Sequence, residues 1–248
     1  MAYDFAAIAE EFLTSSDAAY QEVVSGVSIL DRLIVSTPSS LADRARGYFV
    51  PLLYAYWERF FRISFGEYLR CISTSNIAMG HTHERVGRYR YSRLVSDFFK
   101  SNNSSDLHGI IERLSPVDFR NKIQELRTEL EKSLAFPDSE SWVETDSNVK
   151  FAVLKKNCDR FQVDIEGIKA SFQNGRSLFD LLNDLVNDRN EIAHGGEFLT
   201  FSQRQWEEKR TFVINLLQAL QFELYRSIER RTVIRIEPAF YTDIEYSI

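Results

Sequence analysis

The amino-acid sequence predicts an all-α protein built as a helical bundle, and three observations support this prediction. The 248 residues include only 10 glycines and 5 prolines, so few positions interrupt regular structure. Long segments carry apolar residues at helical intervals, which is typical of amphipathic helices that bury one face. No internal repeat and no linker rich in Pro, Ser or Gly divides the chain. We therefore expect residues 1–248 to form a single domain, an antiparallel helical bundle.

The first third of the chain is predicted to form two long helices. The first spans residues 4–35, and the segment Ser-Thr-Pro-Ser-Ser at 36–40 ends it. Pro51 lies inside the second helix, so that helix is expected to kink there or to restart. The predicted core positions of the first helix are Phe5, Ile8, Phe12, Val23, Val27, Leu30 and Ile34. Those of the second are Phe49, Leu52, Leu53, Tyr56, Trp57 and Phe60.

The middle of the chain gives a weaker signal, and residues 76–150 are predicted to be an insertion between the early and late helices. The segment Ser-Asn-Asn-Ser-Ser at 101–105 and the segment 136–149 are predicted to be polar loops. Between them, residues 117–134 are predicted to form an exposed helix that carries many charges.

The last third again predicts helices. One runs from Ser177 to about Ala193, two glycines at 195–196 interrupt it, and a long helix begins at about residue 203. Ser202 and Gln205 match the capping box, in which each side chain bonds the other residue's backbone N–H. The tail 232–248 holds alternating β-branched residues and is predicted to be a short strand or an arm. The apolar stripe of the long helix is Trp206, Val213, Leu216, Leu217, Leu220, Leu224 and Ile228.

Charge, cysteines and the N-terminus limit the class of protein. Thirty basic and 36 acidic residues give a net charge of −6, so nucleic-acid binding would need a local basic patch. Cys71 and Cys158 form no CxxC pair, which is typical of a reducing compartment. Asp4, Glu10 and Glu11 stand where a signal peptide would need positive charge, and no uncharged stretch approaches the roughly 18 residues of a membrane span. We expect a cytoplasmic protein without membrane contact.

Several common catalytic motifs are missing from the sequence. There is no GxxxxGK[ST] or GxGxxG phosphate-binding loop, no GxSxG nucleophile elbow and no HExxH zinc motif. His81 and His83 have a spacing that suits a metal, but no cysteine or carboxylate cluster lies nearby in the sequence. The sequence therefore predicts neither a metal site nor a cofactor.

The most informative segment is residues 181–196, where a charged residue falls on the apolar face of a predicted helix. The helix phase is set by Leu178, Leu182, Leu185 and Ile192, and Arg189 lies on the same stripe. A guanidinium on a buried face is costly unless it is paired or faces a polar ligand. Arg189 is therefore a candidate functional residue.

Two further side chains accompany Arg189. Asn190 and His194 are four residues apart on one helix face, so Asn190 could hydrogen-bond the His194 ring and fix its orientation. Arg189 and His194 are separated by roughly 140° around an ideal helix, so either the helix frays or a second copy completes the site. A simpler alternative makes His194 a cation at a helix C-terminus and pairs Arg189 with Asp184, Asp188 or a distant carboxylate.

The segment Arg-Asn-Glu-Ile-Ala-His at 189–194 resembles the Rx4–6H signature of HEPN domains, a superfamily named for its members in higher eukaryotes and prokaryotes that bind nucleotides. The helical setting, late in the chain and before a long final helix, is similar too. The segment Leu-Tyr-Ala-Tyr-Trp-Glu-Arg-Phe-Phe at 53–61 resembles the early core helix of stand-alone bacterial HEPN nucleases. The resemblance covers residues of about 40–75 and 175–230 and implies a HEPN-type bundle.

The resemblance also implies an activity. Active HEPN proteins are metal-independent endoribonucleases whose site forms at a homodimer interface, and they leave a 2′,3′-cyclic phosphate and a 5′-hydroxyl. In this chain Arg189 would stabilise the scissile phosphate, His194 would act as general acid or base, and Asn190 would position the phosphate or the imidazole. RNA would be the substrate of a bacterial toxin or antiphage effector, with an antitoxin or regulatory protein as a further partner. One subgroup carries a modified Tyr where this chain has Gly196, so that modification is not expected.

A basic segment offers candidate contacts for RNA. Cations neutralise phosphates and aromatic rings stack on bases, which is how proteins bind single-stranded RNA. The four arginines of residues 84–93 would spread around a helix. An exposed helix face whose arginines pair with nearby acidic residues is therefore an equal alternative. The segment 84–93 contains Arg85, Arg88, Arg90 and Arg93 interleaved with Tyr89 and Tyr91.

Two functions from different classes remain open. The first is the homodimeric endoribonuclease described above, with Glu58 as a candidate partner for Arg189 or simply the polar edge of its helix. The second is a non-catalytic HEPN-like module that binds a nucleotide or a protein and regulates another enzyme, which the acidic net charge favours mildly. This alternative predicts that Arg189 forms an intrachain salt bridge and that no cleft opens near His194. A purely structural scaffold would leave the position of Arg189 unexplained.

Overall fold

A computed structural model describes residues 4–77, 81–100, 115–131, 134–136, 138–172, 175–194 and 199–234. These ranges hold eight α-helices and a short 3₁₀ helix, Ser139–Trp142, and they contain no β-strand. An isolated antiparallel bridge joins Thr82 and Ile234. The all-α prediction is confirmed. The α-helices are α1 Phe5–Ser36, α2 Ser39–Thr74, α3 Glu84–Lys100, α4 Pro116–Glu131, α5 Phe151–Phe161, α6 Ile165–Ala170, α7 Leu178–Ala193 and α8 Gln203–Glu229.

Three long helices, α1, α2 and α8, pack against one another and form the centre of the bundle. Helix α7 and the 3₁₀ helix pack on α2, while α6 packs on α8 and α5 packs on α3 and α7. Helix α2 supplies most of the largest core side chains, and each such aromatic contributes about 1.5–3 kcal/mol through removal of its apolar surface from water. Its fully buried aromatic residues are Tyr54, Trp57, Phe60, Phe61, Phe65 and Tyr68.

The predicted ends of the helices are confirmed where a polar side chain caps them. The carboxylate of Asp4 accepts the backbone N–H of Ala7 at the start of α1. The hydroxyl of Ser177 caps α7, and Ser202 with Gln205 forms the reciprocal capping box of α8. Such caps satisfy backbone donors that a helix N-terminus would otherwise leave without partners.

Helix α2 departs from the prediction in two ways. It runs from Ser39 to Thr74 without interruption, so the predicted restart at Pro51 is wrong. Its predicted stripe is also partly wrong, because the side chain of Leu52 is 47% exposed. The buried face is centred on Val50, and Leu52 lies about 200° around the helix from it, on nearly the opposite side.

The middle of the chain contributes to the same hydrophobic core as the long helices. Helix α4 agrees with the helix predicted at 117–134, and the loop predicted at 101–105 lies outside the described residues. Apart from the 3₁₀ helix, the described residues of segment 136–149 are irregular, as predicted for a loop, but several of its apolar side chains are buried. Whether 76–150 is an insertion stays a prediction. Buried apolar residues of this region are Ile77, Val86, Leu134, Phe136, Trp142, Val143 and Val149.

Two ordinary hydrogen-bond networks hold this middle segment. The indole of Trp57 donates to the carbonyl of Val149 at 3.1 Å. The carboxylate of Glu144 accepts from Lys156 and, at 2.6 Å, from Arg160, both on α5. Partial burial alone would raise the pKa of Glu144, but these two cations outweigh it and lower the pKa. The segment is thereby tied to α2 on one side and to α5 on the other.

The segment before α8 lies close against the start of α2. Phe201 donates its backbone N–H to the carbonyl of Asp43 at 3.1 Å, and the buried Arg46 donates from Nε to the carbonyl of Phe201 at 2.7 Å. Gly47 permits this approach, since a Cβ at that position would lie 2.0 Å from the carbonyl oxygen of Leu199. The chain that follows α7 is therefore anchored to α2.

No helix within the described ranges combines the length and the apolar character that a membrane crossing requires.

We expect the substitution Gly47→Ala to lower the free energy of unfolding by about 1–3 kcal/mol, because the added methyl would collide with the backbone at Leu199. Gly87→Ala is the matched control. Gly87 also lies in a helix, and a Cβ there would meet Thr82 Oγ1 at 3.3 Å. The control is expected to change stability by about 1 kcal/mol or less. Urea unfolding followed by circular dichroism measures both, and equal stability of the two variants would contradict the close approach.

Candidate active site on helix α7

Helix α7 places Arg189 where the sequence predicted it, on the side that faces the bundle. Leu182 and Leu185 are buried, and Arg189 lies on the same face, two turns after Leu182 and one turn after Leu185. Ile192 and Arg189 are partly buried, so the end of this stripe lies near the surface. A guanidinium at this position remains within reach of a ligand while its stem packs against apolar neighbours.

The nearest partners of Arg189 are an amide and an aromatic ring. Its Nη1 donates a hydrogen bond to Oδ1 of Asn190 at 3.0 Å. Its guanidinium carbon lies 5.4 Å from the centroid of the Tyr54 ring, on α2. A cation at this distance is attracted by the negative face of the ring. Neither partner neutralises the charge.

Tyr54 is buried and is held from several sides. Its hydroxyl oxygen accepts the backbone N–H of Val149 at 2.7 Å. Burial raises the pKa of Tyr54 to about 12, and the negative charge of Glu58 raises it as well, whereas the Val149 bond and Arg189 lower it. The ring is therefore neutral at neutral pH. Glu58, a candidate partner of Arg189, interacts with Tyr54 and forms no ion pair with Arg189.

The carboxylates beside Arg189 on α7 are occupied by other cations. Asp184 pairs with Arg176, and Asp188 pairs with Lys209 of α8. The alternative in which Arg189 pairs with Asp184 or Asp188 is therefore wrong. Over the ranges that the structure describes, Arg189 has no carboxylate within ion-pair distance.

His194 lies at the C-terminal end of α7, where its side chain is exposed. Its backbone N–H donates to the carbonyl of Asn190 at 3.0 Å, but the two side chains share no hydrogen bond. The Asn190 oxygen that could have oriented the imidazole accepts from Arg189 instead. The structure thus brings Arg189 and Asn190 together and leaves the His194 ring apart from them. The glycines at 195–196 lie outside the described residues.

A cleft of about 890 Å³ opens on another side of α7, between α7 and α8. Leu181, Leu185 and Phe212 line its apolar part, and the pairs Arg176–Asp184 and Lys209–Asp188 lie at its charged part. Neither Arg189 nor His194 lines this cleft. The cleft therefore lies beside the face of α7 that carries Arg189, and Leu185 belongs to both.

The four arginines of segment 84–93 have different surroundings. Arg85 and Arg88 are exposed on α3, and Arg88 pairs with Glu84. Arg90 is buried at 4% exposure and donates to the carbonyl of Ala135 at 3.0 Å. Arg93 lies 4.4 Å from the centroid of the Trp142 ring and donates to the carbonyl of Ser141 at 2.7 Å. Two of the four therefore hold the fold together, and two face solvent.

Possible metal ligands do not gather in the part of the chain that the structure describes. No group of three or more His, Cys, Asp or Glu side chains there could hold a metal ion. His81 is exposed, and His83 Nδ1 accepts the backbone N–H of Arg85 at 3.3 Å.

Sequence reasoning missed one residue that contacts Arg189, the buried Tyr54. It belongs to the aromatic segment 53–61, which was assigned to the core, and nothing in the local spacing distinguished it from its neighbours. Its contact with Arg189 joins residues 135 positions apart, so only the fold reveals it.

Comparison with known proteins identifies the family. A family model described as RiboL-PSP-HEPN matches residues 21–224, which include α2, α7 and most of α8. No curated protein matches the chain significantly, and no solved structure does. Because the match covers most of the chain and the described residues form an all-α bundle, the protein belongs to the RiboL-PSP-HEPN family.

Proposed function

We propose that this protein is an endoribonuclease that cleaves RNA with Arg189, Asn190 and His194. The observation that supports the proposal is the surroundings of Arg189. Its guanidinium contacts an amide and a neutral ring, and it pairs with no carboxylate among the residues that the structure describes. A partly buried guanidinium without a counter-ion is a strong site for a phosphate, which it can bind through two parallel hydrogen bonds. Membership of a HEPN family supports an RNA phosphodiester as the source of that phosphate.

The proposed reaction is an internal transfer of the phosphoryl group. A base removes the proton of a ribose 2′-hydroxyl, whose oxygen then attacks the adjacent phosphorus. The bond from phosphorus to the 5′-oxygen breaks, and an acid protonates the leaving oxygen. His194 supplies the base or the acid, and Arg189 stabilises the negative charge that grows on the phosphate. No metal ion is needed in this scheme, because Arg189 provides the positive charge.

A homodimer would complete the site. Within one chain the ring of His194 has no side-chain contact with Arg189 or Asn190. A second copy could bring complementary groups to the end of α7, since a twofold axis presents the same residues from the opposite direction. We propose that the enzyme acts in the bacterial cytoplasm as a toxin or an antiphage effector and that an antitoxin or regulatory protein controls it.

The alternative function is a non-catalytic module that binds a nucleotide or a protein. The hydrogen bond from Arg189 to Asn190 favours it, because that bond leaves the His194 ring without the orientation that acid–base catalysis needs. The lack of an ion pair at Arg189 among the described residues counts against it, since the alternative predicted such a pair.

We expect Arg189→Ala to reduce RNA cleavage by about 10²–10³-fold and His194→Ala by about 10²–10⁴-fold. Purified protein is incubated with total RNA and tRNA in EDTA, and the ends of the fragments are analysed for cyclic phosphate. Glu191→Ala is the matched control, because Glu191 is exposed on the same turn of α7 and should leave activity unchanged.

Equal cleavage by the wild type and both variants would contradict the residue assignment and indicate another site. RNA left intact by all the proteins would favour the binding module.

Tyr54 is expected to position Arg189 through its ring rather than its hydroxyl. Tyr54→Phe should keep the kcat near the wild-type value, since the ring face remains, whereas Tyr54→Leu should lower kcat by about tenfold. Both variants lose the hydrogen bond to Val149, which costs about 1 kcal/mol. Tyr54→Leu should lose roughly 1–2 kcal/mol more, because the smaller side chain leaves a cavity in the core. Steady-state kinetics and thermal unfolding measure the two effects. A similar loss of kcat in both variants would assign Tyr54 a purely structural role.

The exposed arginines of α3 are expected to contact RNA, whereas the buried ones are not. The double variant Arg85→Ala with Arg88→Ala should weaken RNA binding. The slope of the logarithm of the binding constant against the logarithm of the salt concentration should become shallower by about 1.4, the value for two phosphate contacts on a single strand. Arg90→Ala should instead lower stability, because it removes the bond to Ala135. Fluorescence anisotropy at several salt concentrations measures the slope. An unchanged slope in the double variant would exclude these two residues from the RNA interface.

A further inference from the structure

Helix α7 keeps its acidic residues on one side. They are separated by four, four and three positions, so at 3.6 residues per turn they fall within about 80° of one another. Ion pairs with Arg176 and Lys209 hold two of them on that side. The acidic residues of the helix are Asp180, Asp184, Asp188 and Glu191.

The adjoining side of α7 carries a row of side chains without a carboxylate, which we call the Phe179 row. It is centred about 100° around the helix from the acidic residues. Its two amides are partly buried, and its ring and its imidazole are exposed. Amides offer donors and acceptors, and a surface without acids does not repel the phosphates of a nucleic acid. The row consists of Phe179, Asn183, Asn190 and His194.

The aromatic ring at the start of the row is held in place but stays open to solvent. Phe179 is 54% exposed. Its ring centroid lies 5.5 Å from that of Phe151, and the two rings meet edge to face. Phe151 donates its backbone N–H to Oδ1 of Asn183 at 3.4 Å, so the row and the start of α5 hold each other. About half of the Phe179 side chain is therefore free to contact a ligand.

Two lysines lie beside this pair of rings. Nζ of Lys169 is 5.6 Å from the centroid of the Phe151 ring, and Lys169 also pairs with Glu166 at 2.7 Å. Lys150 is exposed and precedes Phe151 in the chain. Proteins that bind single-stranded nucleic acids combine such cations, which attract the phosphates, with aromatic rings on which the bases stack.

The other end of the Phe179 row is the candidate active site. Asn190 belongs to the row and accepts the hydrogen bond from Arg189 at 3.0 Å. Phe179 precedes Arg189 by ten residues, which is about 15 Å along the helix axis. A stacked strand rises about 3.4 Å per nucleotide, so about four stacked nucleotides, or fewer extended ones, span this distance.

We propose that the Phe179 row guides single-stranded RNA to Arg189 and that the ring of Phe179 stacks on a nucleobase a few nucleotides from the scissile phosphate. The inference rests on the proposed function, because it places the substrate of the same site. Every base has a π-face, so this contact tolerates any sequence. It requires an unpaired nucleotide, since a base within a duplex is already stacked. The row therefore selects single-stranded regions of RNA.

Binding of a fully 2′-O-methylated single strand, measured by fluorescence anisotropy, tests the ring without interference from cleavage. Phe179→Leu should weaken binding by about 5–150-fold, the range for the loss of one stacked base. Leucine keeps an apolar contact with Phe151 but has no π-face, whereas Phe179→Trp should keep the affinity. Phe222→Leu is the matched control. Phe222 is 56% exposed on α8 and lies 5.2 Å from the guanidinium carbon of Arg226, so its loss should leave binding unchanged.

Methylated strands that each lack one base, at successive positions, locate the stacked nucleotide. The scissile phosphate is identified on the unmodified strand. For the wild type, a missing base about four or fewer nucleotides from that phosphate should weaken binding at least about fivefold. Phe179→Leu should show no further loss at this position, because the ring that the base contacts is already absent.

Equal affinity of the wild type and Phe179→Leu, or the same loss from a missing base in both proteins, would overturn the proposed contact. Binding that follows these expectations while unmodified RNA stays intact would contradict the proposed function alone. Cleavage by Phe179→Leu with the KM of the wild type would contradict the role of the Phe179 row and leave the proposed function in place.

Discussion

The candidate site depends on the contact between Arg189 and the buried ring of Tyr54. The ring is held by its bond to Val149 and is neutral, so it contacts the guanidinium without cancelling its charge. The acids that could have done so, Asp184 and Asp188, pair with cations of their own. A positive charge is thus retained at the end of α7, and the proposed phosphate site follows from it.

Helix α2 connects this site to the rest of the molecule. Its inward face carries the aromatic core and presents Tyr54 to α7. The segment after α7 returns to α2 at Gly47, where only a hydrogen fits beneath the Leu199 carbonyl. A single helix therefore contacts both Arg189 and the segment that follows α7.

The sequence predicted the features that depend on neighbouring residues. The start of α7 at Ser177, the capping box of Ser202 and Gln205, and the position of Arg189 on its stripe follow from spacing along one helix. Features that depend on distant residues were not predictable in this way. Tyr54 meets Arg189 across 135 positions, and the exposure of Leu52 depends on which face of α2 the bundle covers. The same limit applies to segment 136–149, whose buried Trp142 lies in a 3₁₀ helix of four residues, too short to show a periodic pattern.

In the proposed reaction Arg189 holds a phosphate while the neighbouring 2′-oxygen attacks it. The most direct measurement uses two RNA strands of the same sequence, one unmodified and one with every 2′-hydroxyl methylated. Binding and cleavage of both strands are measured in EDTA. The methylated strand keeps every phosphate but lacks the nucleophile. We predict that the protein cuts the unmodified RNA and binds the methylated strand without cutting it. Cleavage of both strands, or of neither, would contradict the account.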